Sequence, residues 1–444
     1  MNDSPVRVGV LSLHNSKETK AILNAVEALG HRPEWLREEN TVVVVDGEDF
    51  RLEPAVDVAV NRLLLSNTDQ PIEELGIANT IAGIVPMLNR PPSTAVASHK
   101  IAAAVELAGD GVATPSSVLA LGSDRLAAFR EEFGEEAVYK TAIGTHGGGA
   151  WKVGPDETLT AKVGQRRAFL QRFVGRDVDR PRDLRVYVVG DDIVGAMYRV
   201  AAEGDWRANV ARGGDVEDAT DDLPPEAAEL SVRAANAVGL DVAGVDLVEG
   251  DDDWYVLEVN PTAGFRGLYR ATGRSPAPYI ARLAIERAGG EVDAERVREL
   301  SATLDDSVPS CKPVAERTEA EETVVIGLTE RAVVSGSSGT RTVIGKADSG
   351  AARTSIDLRL AADIGAGPIH TISRVKSGSS KTSKSRPVVD LVVGIGGVQR
   401  TVEANIEDRS HMTHPLLLGR DILKHYHLDV SQSVDDTDTT VDEE

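Results

Sequence analysis

Near the middle of the chain, oxygen ligands stand at the ends of two apolar runs. Ala243-Gly244-Val245-Asp246-Leu247-Val248 and Val256-Leu257-Glu258-Val259-Asn260-Pro261 read as two strands facing each other across an acidic turn. Asp246, Glu258 and Asn260 form a hard oxygen set without His or Cys, suited to Mg²⁺ that bridges phosphates. Any one of these carboxylates taken alone is as well explained as a solvated strand end. Upstream, Lys140 closes the apolar run Ala137–Tyr139 and precedes a loop with four glycines, among them Gly147, Gly148 and Gly149. Glycines let backbone N–H groups approach phosphate oxygens, and a lysine supplies a point charge for them, although Gly-rich hairpins are common in their own right. Asp183 and Arg185 sit at the mouth of a hydrophobic strand ending at Gly190. Arg199, Trp206, Arg207, Asn209 and Arg212 then collect cations and amides where a charged reaction centre wants them. The segments point to nucleotide chemistry by their order rather than singly. Neither G-x-x-x-x-G-K-[ST] nor G-x-G-x-x-G after a strand is present.

A second chemical string lies far downstream. Asp348 follows the apolar strand Thr342–Ala347 in the turn Asp348-Ser349-Gly350-Ala351. Such a turn holds a carboxylate where two copies can share a proton, as aspartic peptidases require, and Asp-Ser-Gly is also an ordinary turn. Pro415-Leu416-Leu417-Leu418-Gly419 supplies an apolar strand to cross beneath it. His411, His414, His425 and His427 form H-x-x-H and H-x-H pairs, but no carboxylate or Cys completes a recognisable zinc ligand set.

These residues need elements to position them. Val6–Leu13 reads as a buried strand and Ser16–Leu29 as a helix closed by Gly30; Val42–Val45, the turn Asp46-Gly47 and a strand around Val56–Val60 follow. This is the start of an α/β domain, residues 1–97. Residues 98–290 read as an α+β core, and 291–322 as a charged helix and linker. Residues 323–433 read as an all-β domain with short strands broken by Gly and Ser. Within it Ser377–Ser385, five Ser and two Lys, reads as a mobile loop or flap, and 434–444 as an acidic disordered tail. At 444 residues the chain is too long for one core. Acids outnumber bases 71 to 48, a net charge of −23 that repels phosphate backbones and argues against nucleic-acid binding. Only 12 of the 48 bases are Lys, a balance that points to a halophilic protein, with an acidic mesophilic one as the alternative. A single cysteine, Cys311, excludes an internal disulfide, and no apolar run reaches the roughly 20 residues that span a bilayer. The expectation is a cytoplasmic protein with no membrane contact.

Residues 98–270 resemble an ATP-grasp enzyme of the RimK type, carboxylate–amine ligases that add glutamate to an acceptor. The resemblance is carried by Ser98-His99-Lys100 with Gly111-Val112-Ala113-Thr114-Pro115, by Lys140 and its glycine loop, and by "DLRVYVVG", "RANVARGG", "AGVDLV" and "LEVNPTAG" in order. It implies that Lys100 and Lys140, with the loop of Gly147, Gly148 and Gly149, hold ATP phosphates. The hinge Gln171, Arg172, Phe173 and Val174 would hold the adenine, with Arg172 where the family usually carries Glu. Asp183 and Arg207 would line the nucleotide site, and Asp246, Glu258 and Asn260 would bind Mg²⁺, or Mn²⁺ in its place. Arg207 and Asn209 would stabilise the oxyanion formed when an amine attacks an acyl phosphate. The C-terminal part resembles the retropepsin-like family labelled ATP-dependent zinc proteases, through Ala347–Ala351, Ala352–Ser355, Ser385–Val389, Glu407–Ser410 and Pro415–Asp421. That resemblance implies a catalytic Asp348, two chains per active site and hence at least a homodimer. It also leaves Arg353, Arg386, Arg409 and Arg420 for the carboxylates of glutamate-rich peptides. The expected activity is ATP-dependent ligation of an amino acid, L-glutamate, to a protein, peptide or cofactor carboxylate. The rival is a biosynthetic ligase for small molecules or carrier proteins whose C-terminal lobe only dimerises or recruits.

Overall fold

The computed structural model describes residues 4–66, 68, 70–144, 149–164, 166–175, 180–202, 206, 215–251, 253–313, 324–376 and 383–434. The chain divides into two compact units, Met1–Ala315 and Glu316–Glu444.

The first unit opens on a parallel sheet in the order Arg32–Leu36, Arg7–Leu11, Val58–Asn61, Met87–Leu88. The helix Lys17–Ala28 begins where Ser16 accepts a hydrogen bond from the Thr19 N–H, and it buries Ile22, Leu23 and Val26 on its apolar stripe. The turn Asp46-Gly47 joins Val42–Asp46 to a partner the hydropathy does not reveal, Asp49–Glu53, because three of its five residues are charged and only Leu52 is buried.

Two sheets follow. The smaller one runs Lys162–Val163, Arg166–Arg172, Ala137–Thr141, Ala150–Val153, with Ser117–Val118 pairing Arg166–Arg172. The larger is antiparallel in the order Asp215–Asp218, Asp192–Val200, Arg182–Val189, Val242–Glu249, Trp254–Asn260. One face of it packs with the helix Pro225–Val238 through Ala227, Ala234, Ala235 and Val238. The other shares a core with the first sheet and the helix Ala277–Arg287, joining Val8, Val10, Tyr187, Met197, Ile280 and Ala284. The expected charged helix is Ala294–Ser301, tied to the chain by Ser275 N–H to Ser301 carbonyl at 2.8 Å. The next stretch, expected as linker, lies against the helix Lys17–Ala28: Asn24 donates to the carbonyls of Asp305 and Ser307, and Lys17 pairs with Asp306 at 3.0 Å. Hydrophobic periodicity is blind to such polar anchoring. Residues 314–322 lie outside the described residues.

The second unit is a strand barrel. Thr329–Gly336, Gly339–Ala347, Leu416–Leu418, Ser355–Asp357, Val398–Glu407 and Ser383–Ile395 pair in that order, and the last pairs back to the first. Ile369–Lys376 extends the sheet beside Ser383–Ile395. The sheet encloses Val334, Ile356, Val389, Leu391, Val393, Leu416 and Leu418. Two short helices, Leu358–Ile364 and Arg420–Leu423, qualify the all-β expectation. Ser383–Ser385, expected in a flap, belong to a strand, while 377–382 and the tail from 435 lie outside the described residues.

Several surface ion pairs sit at exposed positions, such as Arg51–Glu53 and Arg298–Glu295, where each is worth little. The 23 uncompensated acids therefore act mainly through mutual repulsion. Lowering KCl from about 1 M to about 0.1 M extends the screening length from about 3 Å to about 10 Å and is expected to lower the melting temperature. An unchanged or raised melting temperature in a salt series would remove the halophilic expectation.

Candidate active site

The site is built from sheet register. Asp183 and Arg185 are two residues apart on Arg182–Val189, so they share a face. Across one side Asp183 stands opposite Arg199, and across the other Arg185 stands opposite Asp246, which in turn stands opposite Glu258. Directly opposed side chains interact, and here they do so as fork-to-carboxylate pairs. Arg199 grips Asp183 at 2.6 and 2.7 Å, and Arg185 grips Asp246 at 2.5 and 2.7 Å. A further Arg199–Asp246 contact of 3.0 Å joins the two pairs. The Asn260 amide reaches Asp246 at 3.4 Å, and Lys100 Nζ lies 2.7 Å from Glu258 and 3.1 Å from the Gly144 carbonyl.

Lys140 comes from the smaller sheet and donates to Gln171 Oε1 at 2.5 Å, and the Gln171 amide donates to Ser117. Phe173 packs edge-on to Trp206 at 6.1 Å, with Lys152 Nζ 3.9 Å from the Phe173 ring centre. Gly149 has a steric reason to be glycine, since a Cβ there would collide with Thr141. Lys100, Lys140, Gly149, Gln171, Arg172, Phe173, Val174, Asp183, Asp246, Glu258 and Asn260 all line one cleft of about 1190 Å³. Carboxylates and cations are interleaved along the cleft as ion pairs, and both are groups that a metal-bound polyphosphate requires. Gly147, Gly148, Arg207 and Asn209 lie outside the described residues.

Burial and charge pull against each other here. Burial opposes ionisation of Asp246, yet Arg185 and Arg199 overcome it and hold the carboxyl down at about 2. For Asp183 burial prevails and raises the carboxyl above the usual range despite Arg199. Burial, aided by the nearby charge of Lys100, lowers the Lys140 ammonium to about 8. Asp246, Glu258 and Asn260 fit a hard divalent cation: two carboxylates and an amide oxygen on adjacent strands suit Mg²⁺, which takes few protein ligands when phosphates and water fill its shell. Among the described residues no group of three His, Cys, Asp or Glu could hold a metal ion.

In the second unit Asp348 ends the strand Gly339–Ala347, and its carboxylate accepts from the N–H groups of Gly350 at 2.9 Å and Ala351 at 3.3 Å. Leu416–Leu418 runs parallel beside that strand, and its Leu418 carbonyl accepts from the Asp348 N–H at 2.9 Å. Gly419 follows with no room for a Cβ against the Arg353 backbone, and Asp421 locks Thr354 through both its N–H and its hydroxyl. The arginines expected to stand free for peptide carboxylates do not. Arg353 pairs with Glu403, Arg386 and buried Arg409 share Glu407, and Arg420 donates to the Ser349 and Gly350 carbonyls. Their partners arrive through tertiary folding, which residue type alone does not reveal.

Among the cleft residues that carry no motif are His14, Glu18 and Arg62. Arg62 directly follows the buried strand Val58–Asn61, and an arginine after an apolar run is the only signal that sequence offers for it.

Residues 97–283 match the family described as RimK-like ATP-grasp domain, and residues 359–437 the family described as retropepsin-like aspartic endopeptidase RimB. A tetrahydromethanopterin:α-L-glutamate ligase of Methanocaldococcus jannaschii is 33% identical over 42% of this chain and 66% of its own length. A probable α-L-glutamate ligase of Mannheimia succiniciproducens is 33% identical over 51% of this chain and 80% of its own length. Among solved structures, the ATP-grasp ligase PsnB, complexed with a phosphomimetic variant of its minimal precursor, Mg and ADP, shares the fold with a TM-score of 0.51. It is 20% identical, over 63% of this chain and 98% of that one. No helix among the described residues is long and apolar enough to cross a membrane.

Proposed function

Because the chain belongs to the RimK-like ATP-grasp family of ATP-dependent ligases, we propose that it joins the amine of L-glutamate to a carboxylate of a protein, peptide or cofactor in the cytoplasm. The observation that carries this reading is the convergence of Lys100, Lys140, Asp183, Asp246, Glu258 and Asn260 on one cleft walled by the hinge Gln171–Val174. The acceptor carboxylate attacks the γ-phosphorus of ATP, the bond to the β-phosphate oxygen breaks, and ADP leaves an acyl phosphate behind. The amine then attacks the acyl carbon, a tetrahedral oxyanion forms, inorganic phosphate departs and the nitrogen loses a proton to leave an amide.

Lys100 and Lys140 neutralise the phosphate oxygens. Asp246, Glu258 and Asn260 would hold the Mg²⁺, which when bound would supply charge neutralisation to the phosphates. Arg185 and Arg199 fix the orientation of Asp246 and Asp183 before any ligand arrives, which is preorganisation in the electrostatic sense. Arg207 and Asn209 are assigned to the oxyanion in this reading. In the second unit the reading makes Asp348 half of a carboxylate dyad completed by another copy of the chain, cleaving glutamate-rich peptides.

Purified protein with ATP, Mg²⁺ and each amino acid in turn, followed by ADP release and product mass, tests the ligase. ADP release that no amino acid stimulates, with any carboxylate acceptor, would remove it. The Lys140 ammonium adds a pH signature. It is protonated below about 8 and loses its proton above, so the KM for ATP is expected to rise between about pH 7 and about pH 9. In Lys140→Met the KM is high throughout and that inflection disappears; a KM for ATP unchanged in Lys140→Met would show that Lys140 does not hold phosphate.

A further inference from the structure

Arg62 is 4% exposed, and among the described residues its Nε and Nη1 have no hydrogen-bond partner. Its remaining contacts are weak: Nη2 lies 3.5 Å from each of the Thr262 and Ala263 carbonyls, and the guanidinium sits 5.3 Å from the Phe265 ring centre. It forms no ion pair among the described residues. A buried guanidinium with donors left unmade is a costly arrangement unless something brought to the cleft completes it.

The surroundings are rigid and prepared. Arg62 N–H is fixed to the Leu11 carbonyl at 2.9 Å. The loop after Trp254–Asn260 is held by Asn89, which donates to the Pro261 carbonyl at 2.9 Å, and by the Tyr187 hydroxyl on the Gly264 carbonyl. Gly244 leaves the room that the Ala263 side chain occupies. His14, Ser16, Glu18, Thr262, Ala263 and Gly264 line the same cleft, with Thr262 and Ala263 in contact with Arg62 and the charge of Glu18 acting on it. Burial and the neighbouring Arg62 both lower His14, which keeps its imidazole neutral. Ser16 caps the twelve-residue helix Lys17–Ala28, whose first turn carries Glu18.

The chemistry of the ligand follows. Nε and Nη1 each form a fork with Nη2, whose two 3.5 Å contacts are weak enough to give up, and such a fork matches the two oxygens of a carboxylate. Phosphate is already provided for by Lys100 and Lys140, and Glu18 makes this wall unfavourable for a multiply charged anion. A cation beside a carboxylate instead complements a molecule that carries both a carboxylate and an amine. We propose that Arg62 is the anchor of a carboxylate-binding subsite of the cleft, shaped for an amino acid. This rests on the ligase reading for its role, although the site itself stands on the unpaired Arg62. The carboxylate can come from the incoming amino acid or from the end of an acceptor peptide.

Calorimetric titration of the full-length protein separates these cases, with L-glutamate in one arm and N-acetyl-triglutamate, which has no free amine, in the other. Both are run with and without AMPPNP and Mg²⁺. Arg62→Met is expected to weaken L-glutamate binding at least tenfold while AMPPNP binds as in wild type, the control for an intact cleft. Arg62→Lys keeps the charge but not the fork and is expected to fall between. It decides the matter if Arg62→Met fails to fold. A tenfold loss confined to the peptide arm supports the subsite and assigns it to the acceptor. Binding of both probes within twofold of wild type in both variants overturns the proposal, as does wild-type protein that binds neither. Failure of wild type to bind AMPPNP with Mg²⁺ would instead sink the ligase reading, and the titrations without nucleotide would still judge Arg62.

Discussion

Glu258→Gln is expected to lower amino-acid-dependent ADP formation by about 10²–10³-fold, the usual cost of removing one preorganised group at a phosphoryl-transfer centre. The substitution keeps the shape and removes one charge. It deletes a carboxylate from the proposed Mg²⁺ set and releases Lys100, whose ammonium is held 2.7 Å away. The fold should hardly notice. The Lys100–Glu258 pair is partly solvated, so its loss costs about 1 kcal/mol or less and about 3 °C in melting temperature at most. Asp246→Asn provides the contrast. It leaves Arg185 and Arg199 buried against a neutral amide, and breaking a buried pair in this way costs about 3–5 kcal/mol. Activity and stability should therefore separate in Glu258→Gln and fall together in Asp246→Asn, by steady-state kinetics and thermal melts. Full activity with ordinary Mg²⁺ dependence in Glu258→Gln would remove the ATP-grasp mechanism from this cleft.

That contrast also marks how far the sequence could be read. Asp246, Glu258 and Asn260 are legible because each interrupts or ends an apolar strand, where a polar residue is conspicuous, and the acidic turn between the strands announces their pairing. The clamp of Arg185 on Asp246 is not legible. It depends on Arg182–Val189 lying beside Val242–Glu249, strands some 60 residues apart whose register is set by tertiary packing. Arg199 was visible as a cation near the site, but its bridging of two carboxylates was not, for the same reason. The hairpin partner Asp49–Glu53 is hidden by its charges, and the stretch after Ser301 by polar ties that carry no period. Arg62 shows the limit most clearly. Nothing in its sequence neighbours says that two of its donors end in a buried wall without a partner among the described residues.

Asp348→Asn is expected to abolish cleavage of a glutamate-rich peptide, by about 10²-fold or more, while amino-acid-dependent ADP formation stays at the wild-type rate. One unit supplies one such turn, with its carboxylate braced by the Gly350 and Ala351 N–H groups and its strand flanked by Leu416–Leu418. Two carboxylates about 3 Å apart cannot both ionise, so one keeps a proton and the pair activates water. A single copy cannot do this, and the cleavage rate per chain should fall on dilution through the dimer dissociation range, as sedimentation would locate it. Asn at position 348 retains the hydrogen bonds that shape the turn but cannot take the proton from water. The internal pairing of Arg353, Arg386 and Arg409 sharpens the test. With these cations committed to Glu403 and Glu407, acidic peptides must be held by other groups or not at all. A lobe that only dimerises or recruits the acceptor predicts no cleavage even in wild type and no change in any assay on Asp348→Asn. Cleavage that persists undiminished in Asp348→Asn would end the aspartic-peptidase reading whatever the oligomeric state, because that reading makes Asp348 the carboxylate each copy contributes.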